Sequence, residues 1–118
     1  MGVEVHKYEQ RDGGGFFKAA YTVYAVKVKK KKKSWQVWRR YSEFEKLRDA
    51  MRMDPAYADC LIPSLPAKRG ALHRFEQLVL DARLFGLNLF MQDIMASKKL
   101  RDSDQLRLFL DPAISPFQ

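Results

Sequence analysis

The apolar residues of this chain change period once. From Val3 to Arg40 they alternate with polar residues at strand spacing, and from Phe44 to Leu110 they recur every three or four residues, as on a helix. Strands first and helices after predict an α+β fold, a three-stranded antiparallel β-meander packed against a helical subdomain. With 118 residues there is room for one core of this kind and not for two. Residues 1–118 are therefore expected to form a single domain, with its core at about residues 3 to 112.

The strand half divides by its turn residues. Val3, Val5 and Tyr8 mark a short first strand that runs into Arg11-Asp12-Gly13-Gly14-Gly15. Phe17 to Val28 is β-branched and aromatic, with Tyr24, Val26 and Val28 on one face and Ala25, Lys27 and Lys29 on the other. Lys29 to Ser34 reads as a solvated turn, and Trp35 to Arg40 alternates again as a third strand.

In the helical half, Ser42-Glu43-Phe44-Glu45 has the form of a capping box, Ser42 as N-cap and Glu45 at the third helical position. Phe44, Leu47 and Met51 share the buried face of that helix, and Asp54-Pro55 ends it. Pro55, Pro63 and Pro66 make residues 55 to 72 an irregular crossing. A long helix is expected from about His73 to Ala96, with Phe75, Leu78, Val79, Phe85, Leu89, Phe90 and Ile94 as its apolar residues and Gly86 marking a kink or a close contact. A last short helix, about Ser103 to Leu110, buries Leu106, Phe109 and Leu110 and stops at Pro112.

Charge narrows the class of partner. The chain carries 22 Lys and Arg against 14 Asp and Glu, a net charge of +8. The stretch from Lys27 to Arg40 holds eight basic residues and no acidic one, so it contains the whole excess. A neutral globule with one cationic region implies a localised anionic partner. The 47% hydrophobic and 31% charged composition excludes a disordered tail, a collagen-like repeat and a coiled coil.

Other classes are excluded by what the residues cannot build. Cys60 is the only cysteine, so neither an internal disulfide nor a thiolate-rich metal site is available, which suits the reducing cytosol. No stretch approaches the roughly 18 apolar residues of a membrane span, and no signal-peptide core is present. Met1-Gly2 opens like a myristoylation signal, but His6 stands where Ser or Thr is required. His6 and His73 lie in unrelated segments without metal-ligand spacing, Gly13-Gly14-Gly15 lacks the pattern of a phosphate loop, and Glu43 and Glu45 are explained by helix capping. The expectation is a chain without catalytic residues, metal or cofactor.

The informative segment is Trp38-Arg39-Arg40-Tyr41-Ser42-Glu43-Phe44. Strand alternation sends Arg39 and Arg40 to opposite sides, and a helix N-terminus follows at once. An arginine beside free backbone N–H groups is a ready phosphate site, and Tyr41 offers a ring face to a sugar-like ring. A surface arginine pair with a core tyrosine accounts for the same residues equally well.

Arg39-Arg40-Tyr41-Ser42-Glu43-Phe44, then Pro63-Ser64-Leu65-Pro66-Ala67-Lys68, then Arg83 four residues before Leu87-Asn88, resembles the phox-homology (PX) domain, a phosphoinositide-binding module of the sorting-nexin type. The resemblance runs from about Val3 to Pro112. It implies the meander and helical subdomain already read from the periods. It also implies peripheral binding to phosphatidylinositol 3-phosphate on the cytoplasmic face of endosomal membranes. By position, Arg40 would grip the 3-phosphate beside the Ser42 end of the helix, Tyr41 would stack on the inositol ring, Lys68 would meet the 1-phosphate, and Arg83 would hydrogen-bond the 4- and 5-hydroxyls. Leu72 would be the apolar membrane anchor in the loop 69–75. Lys29, Lys30, Lys31, Lys32 and Lys33 would add membrane contact at roughly 1 kcal/mol each if the hairpin reaches the surface. The resemblance gives Pro63-Ser64-Leu65-Pro66 an architectural role over that of a proline-rich adaptor ligand. The competing expectation is a basic protein- or nucleic-acid-interaction domain working through Lys27 to Lys33, with nucleic acid the less favoured partner.

Overall fold

A computed structural model describes residues 1–13, 20–68 and 76–114. The chain forms β1 (Gly2–Arg11), β2 (Tyr21–Lys30) and β3 (Lys33–Arg40), then α1 (Tyr41–Met53), a 3-10 turn (Pro55–Tyr57), α2 (Gln77–Ala96), α3 (Lys98–Arg101) and α4 (Asp104–Phe109). The sheet has the order β1-β2-β3 and is antiparallel throughout, as the periods predict.

Register explains how the inner face is filled. Val3 and Val5 are buried on β1, and a bulge between Val5 and Lys7 inserts one residue, which returns Tyr8 to the core side. On β2, Tyr24, Val26 and Val28 face the core as expected, yet Val23 and Ala25 on the other face are buried too. Ala25 lies opposite both Lys7 and Trp38. The Trp38 ring is covered in turn by Lys7 Nζ at 5.6 Å and the Arg11 guanidinium at 4.9 Å. Long amphipathic side chains thus roof this face of the sheet.

The helices close the other side. Phe44 is the hub of the aromatic core, with ring centroids at 4.9 Å from Phe109, 6.3 Å from Tyr24 and 6.4 Å from Phe90. Leu47 and Met51 complete the buried face of α1, which ends at Met53 before Asp54-Pro55. Helix α2 lies along β1, where Asn88 Oδ1 accepts from the Val5 amide at 3.0 Å and Gln92 Nε2 donates to the Val3 carbonyl at 2.6 Å. These amide side chains occupy backbone groups that an edge strand would otherwise leave open to another chain.

Four expectations need correction. Helix α1 begins at Tyr41, not after Ser42: Arg40 is the extended N-cap, and Glu43 Oε1 accepts its amide at 2.9 Å. The pair that closes the first turn is Arg40 with Glu43, because the carboxylate satisfies the otherwise open N–H two residues earlier than a Ser42 cap would. Helix α2 begins at Gln77, since Glu76 is extended (φ −68°, ψ 135°). His73 to Phe75 lie outside the described residues, as does the Phe17 end of the second strand. On α2 the buried residues are Leu80, Leu87, Phe90, Met91 and Ile94, whereas Leu78 (83% exposed), Phe85 (73%) and Leu89 (52%) face outward. Finally, the β2–β3 turn is confined to Lys31 and Lys32, and pairing continues from Lys30–Lys33. Helix α3 had no distinct signal in the sequence. Helix α4 fits its prediction, with Ser103 Oγ accepting from the Leu106 amide at 3.2 Å as N-cap.

Candidate functional site

The two adjacent arginines part as alternation requires. Arg39 is buried (6% exposed) and donates to the carbonyls of Trp38, Phe109, Asp111 and Ile114, each at 2.9 Å. Burial lowers its pKa, and the carboxylates of Glu43 and Asp111 act the other way. It is a clamp that pins the chain beyond α4 to β3. Arg40 turns outward, and its guanidinium lies 4.5 Å from the centroid of Tyr21, across the sheet on β2. An exposed arginine resting on an aromatic face has fewer orientations to lose when it meets an anion.

Tyr41 is the point where the other elements converge. Its hydroxyl donates to the Pro66 carbonyl at 2.6 Å, and the Arg83 guanidinium from α2 lies 4.8 Å from its ring centroid. Burial, followed by the nearby Glu45 carboxylate, raises the Tyr41 pKa, so the phenol stays neutral and keeps donating. Lys68 Nζ stands 3.7 Å from Glu45 Oε1, one turn along α1. The proline crossing is held at two further points: Arg48 Nε donates to the Pro63 carbonyl at 2.7 Å, and Gly86 meets Pro66. A Cβ on Gly86 would sit 2.7 Å from Pro66 Cβ, so Gly86 serves close packing. These contacts fix Pro63 and Pro66 as architecture.

The structure therefore brings Tyr41, Lys68 and Arg83 together around the first turns of α1, with Arg40 next in sequence. Ser42 is exposed in the first helical turn. Glu43, the acid in that turn, is partly offset by Arg39 Nε at 4.0 Å. A notch of about 410 Å³ opens beside this cluster, lined by Pro66, Ala67, Leu78, Val79, Ala82 and Arg83, with Glu76 at its edge. Arg83 Nε and the Tyr24 hydroxyl are buried without a hydrogen-bond partner among the described residues. Burial raises the Tyr24 pKa, and the adjacent Arg83 charge opposes that rise.

Two residues of this neighbourhood were not anticipated. Tyr21, the support under Arg40, is set by strand register, and its signal was the pairing of Val23 with Arg40. Leu78, exposed at the rim of the notch, would have been found by starting α2 at Gln77 and rotating the wheel so that Leu80, Leu87 and Ile94 point inward. Leu72 lies outside the described residues. The lysines Lys29 to Lys33 are not near the site: they form the β2–β3 hairpin end, where Lys33 opens β3 seven residues from Arg40. At strand rise this is roughly 24 Å. Among the described residues, no helix is long and apolar enough to cross a membrane, and no cluster of His, Cys, Asp and Glu could hold a metal.

Comparison with known proteins agrees with this arrangement. The family model for the PX domain matches residues 27–113. The chain is 35% identical to sorting nexin-16 of Mus musculus over 104 residues, covering 85% of this chain and 29% of that protein. It is also 35% identical to the serine/threonine-protein kinase Sgk3 of Rattus norvegicus over 94 residues, covering 79% of this chain and 18% of the kinase. The chain thus spans less than a third of the length of these curated relatives. Among solved structures, a designed CISK-PX domain superimposes with a TM-score of 0.81 at 28% identity, covering 94% of this chain and 99% of that one. The mouse SNX19 PX domain, solved with a bound sulphate ion, gives 0.68 at 20% identity over 93% and 94%, a likeness of fold. PX domains are phosphoinositide-binding, membrane-targeting modules and not catalytic ones, and the resemblance to the kinase is confined to that module. With the meander, the proline crossing and the Arg40-Tyr41 corner in place, and a match over most of its length, this chain belongs to the PX domain family.

Proposed function

We propose that the chain recognises phosphatidylinositol 3-phosphate and thereby attaches peripherally to the cytoplasmic face of endosomal membranes. The observation that carries this reading is the convergence of Arg83 and the proline crossing on Tyr41, one residue from the outward-facing Arg40. Arg40 and the open amides of the first α1 turn receive the 3-phosphate, with the Ser42 hydroxyl beside them. Lys68 leaves Glu45 for the 1-phosphate, and Arg83 directs N–H groups at the 4- and 5-hydroxyls while the Tyr41 ring supports the inositol. Leu78, with the Leu72 loop, supplies the apolar contact with the bilayer. No bond is made or broken; the function is binding.

The test is flotation with liposomes containing each phosphoinositide in turn, at matched total charge and near physiological salt. Phosphatidylinositol 3-phosphate is expected to retain the protein selectively, and Arg40→Ala to abolish that selectivity with the circular dichroism spectrum unchanged. Retention that tracks only total negative charge would refute the reading.

A further inference from the structure

The end of the sheet remote from Arg40 holds a second cavity, of about 380 Å³, between the β2–β3 hairpin and the C-terminal helices. Trp35 and the exposed Met1 give it apolar walls over the buried Leu106 and Leu110, and Lys30, Arg101 and Arg107 surround them; Asp102 also lines it and is paired with Lys98 and Arg101, while Arg107 is paired with Asp104 at 3.4 Å. The Trp35 indole donates to the Leu110 carbonyl at 2.7 Å, which holds the ring in place. Lys30 belongs to the hairpin run Lys29 to Lys33, whose lysines are exposed and engaged in no ion pair among the described residues.

We infer that this cavity and its lysine hairpin form a second binding site, for an acidic peptide segment of a partner protein carrying one large apolar side chain. The cavity has room for a Leu, Phe or Trp side chain against Trp35, and the hairpin lysines, without ion pairs among the described residues, complement carboxylates beside it. A nucleic-acid backbone would satisfy the lysines and leave the apolar walls unused. Arg40, the residue proposed above for the lipid phosphate, lies roughly 24 Å away along β3. The hairpin backbone adds to the argument: Lys31 occupies a turn position at φ 56°, where glycine is the unstrained choice, and a cation stands there instead. The site is independent of the lipid reading, because none of its residues belongs to the Arg40 cluster.

The test uses the 118-residue protein and a set of fluorescein-labelled dodecapeptides rich in Glu and Asp, each with a central Leu, Phe or Trp. Controls are the same peptides with Ser at the centre and a single-stranded oligonucleotide of equal charge. At least one apolar-centred peptide is expected to bind near physiological salt. Affinity should fall about tenfold with the Ser-centred peptide, and about tenfold in each of Lys30→Glu and Arg107→Glu, both exposed and checked for fold by circular dichroism. Arg40→Ala should bind the peptide unchanged. Failure of every apolar-centred peptide at millimolar concentration, equal affinity for the Ser-centred peptides, tighter binding of the oligonucleotide, or indifference to both charge reversals would each overturn the proposal.

Discussion

The two ends of β3 carry most of the excess positive charge and hold it differently. At the Arg40 end the cations are few, and each rests on something: Arg40 on Tyr21, Arg83 on Tyr41, Lys68 beside Glu45. At the hairpin end five consecutive lysines project without ion pairs among the described residues. A cation already oriented by an aromatic face or a carboxylate can discriminate where a phosphate sits on a ring. A freely rotating lysine senses mainly that negative charge is near, and salt screens it. Charge density alone singles out the hairpin end, not the end where the cations are held in place.

The largest effect that sharpens this contrast concerns the neighbouring buried arginine. Arg39→Ala strips the donor from carbonyls beyond α4 and leaves Glu43 without its cation, so stability in urea denaturation should fall by about 2 to 4 kcal/mol. Unchanged stability would show that the clamp is incidental. Arg40→Ala should leave stability within about 0.5 kcal/mol while lowering phosphoinositide affinity about a hundredfold, the worth of two charge-assisted hydrogen bonds. Replacing Lys29 to Lys33 by Gln should change that affinity by less than about threefold at physiological salt; equal losses from the two variants would break the contrast altogether. Gly86→Ala pushes a methyl group into Pro66 and should cost about 1 to 3 kcal/mol, with lipid affinity falling because Tyr41 is tied to Pro66. Smallest is Lys31→Gly, which relieves the positive φ and should raise stability by about 1 kcal/mol with lipid binding intact.

Titration tests the core between the two ends. Burial holds the Tyr24 pKa above its usual 10.0, so the folded state keeps a proton that the unfolded chain releases. The corresponding stability is complete below pH 10 and should decline as pH rises beyond it, which Tyr24→Phe should reduce.

Much of this was legible in the sequence. The change of period marks the sheet and its helices, alternation separates Arg39 from Arg40, and helical spacing marks Phe44, Leu47 and Met51 as core. The helix starts were less legible, because Ser42 and Glu45 form a plausible box while Glu43 closes a better one with the Arg40 amide. The buried face of α2 was obscured by apolar residues all round it, so periodicity could not choose between Leu80 and Leu78. The proximity of Tyr21 to Arg40 belongs to register, which a single strand does not reveal. The distance of the lysines from Arg40 was within reach, since one uninterrupted strand separates them.

The placing of Trp35 and Trp38 has a spectroscopic consequence. They are the two tryptophans of the chain, both on β3, one in the hairpin-end cavity and the other covered by Lys7 and Arg11. A Trp38→Phe variant would therefore have a single indole emitter, lodged where the acidic peptide is expected and remote from Arg40. Its fluorescence would register occupation of one end of the domain and stay silent about the other, so the two ligands could be titrated against each other in one cuvette.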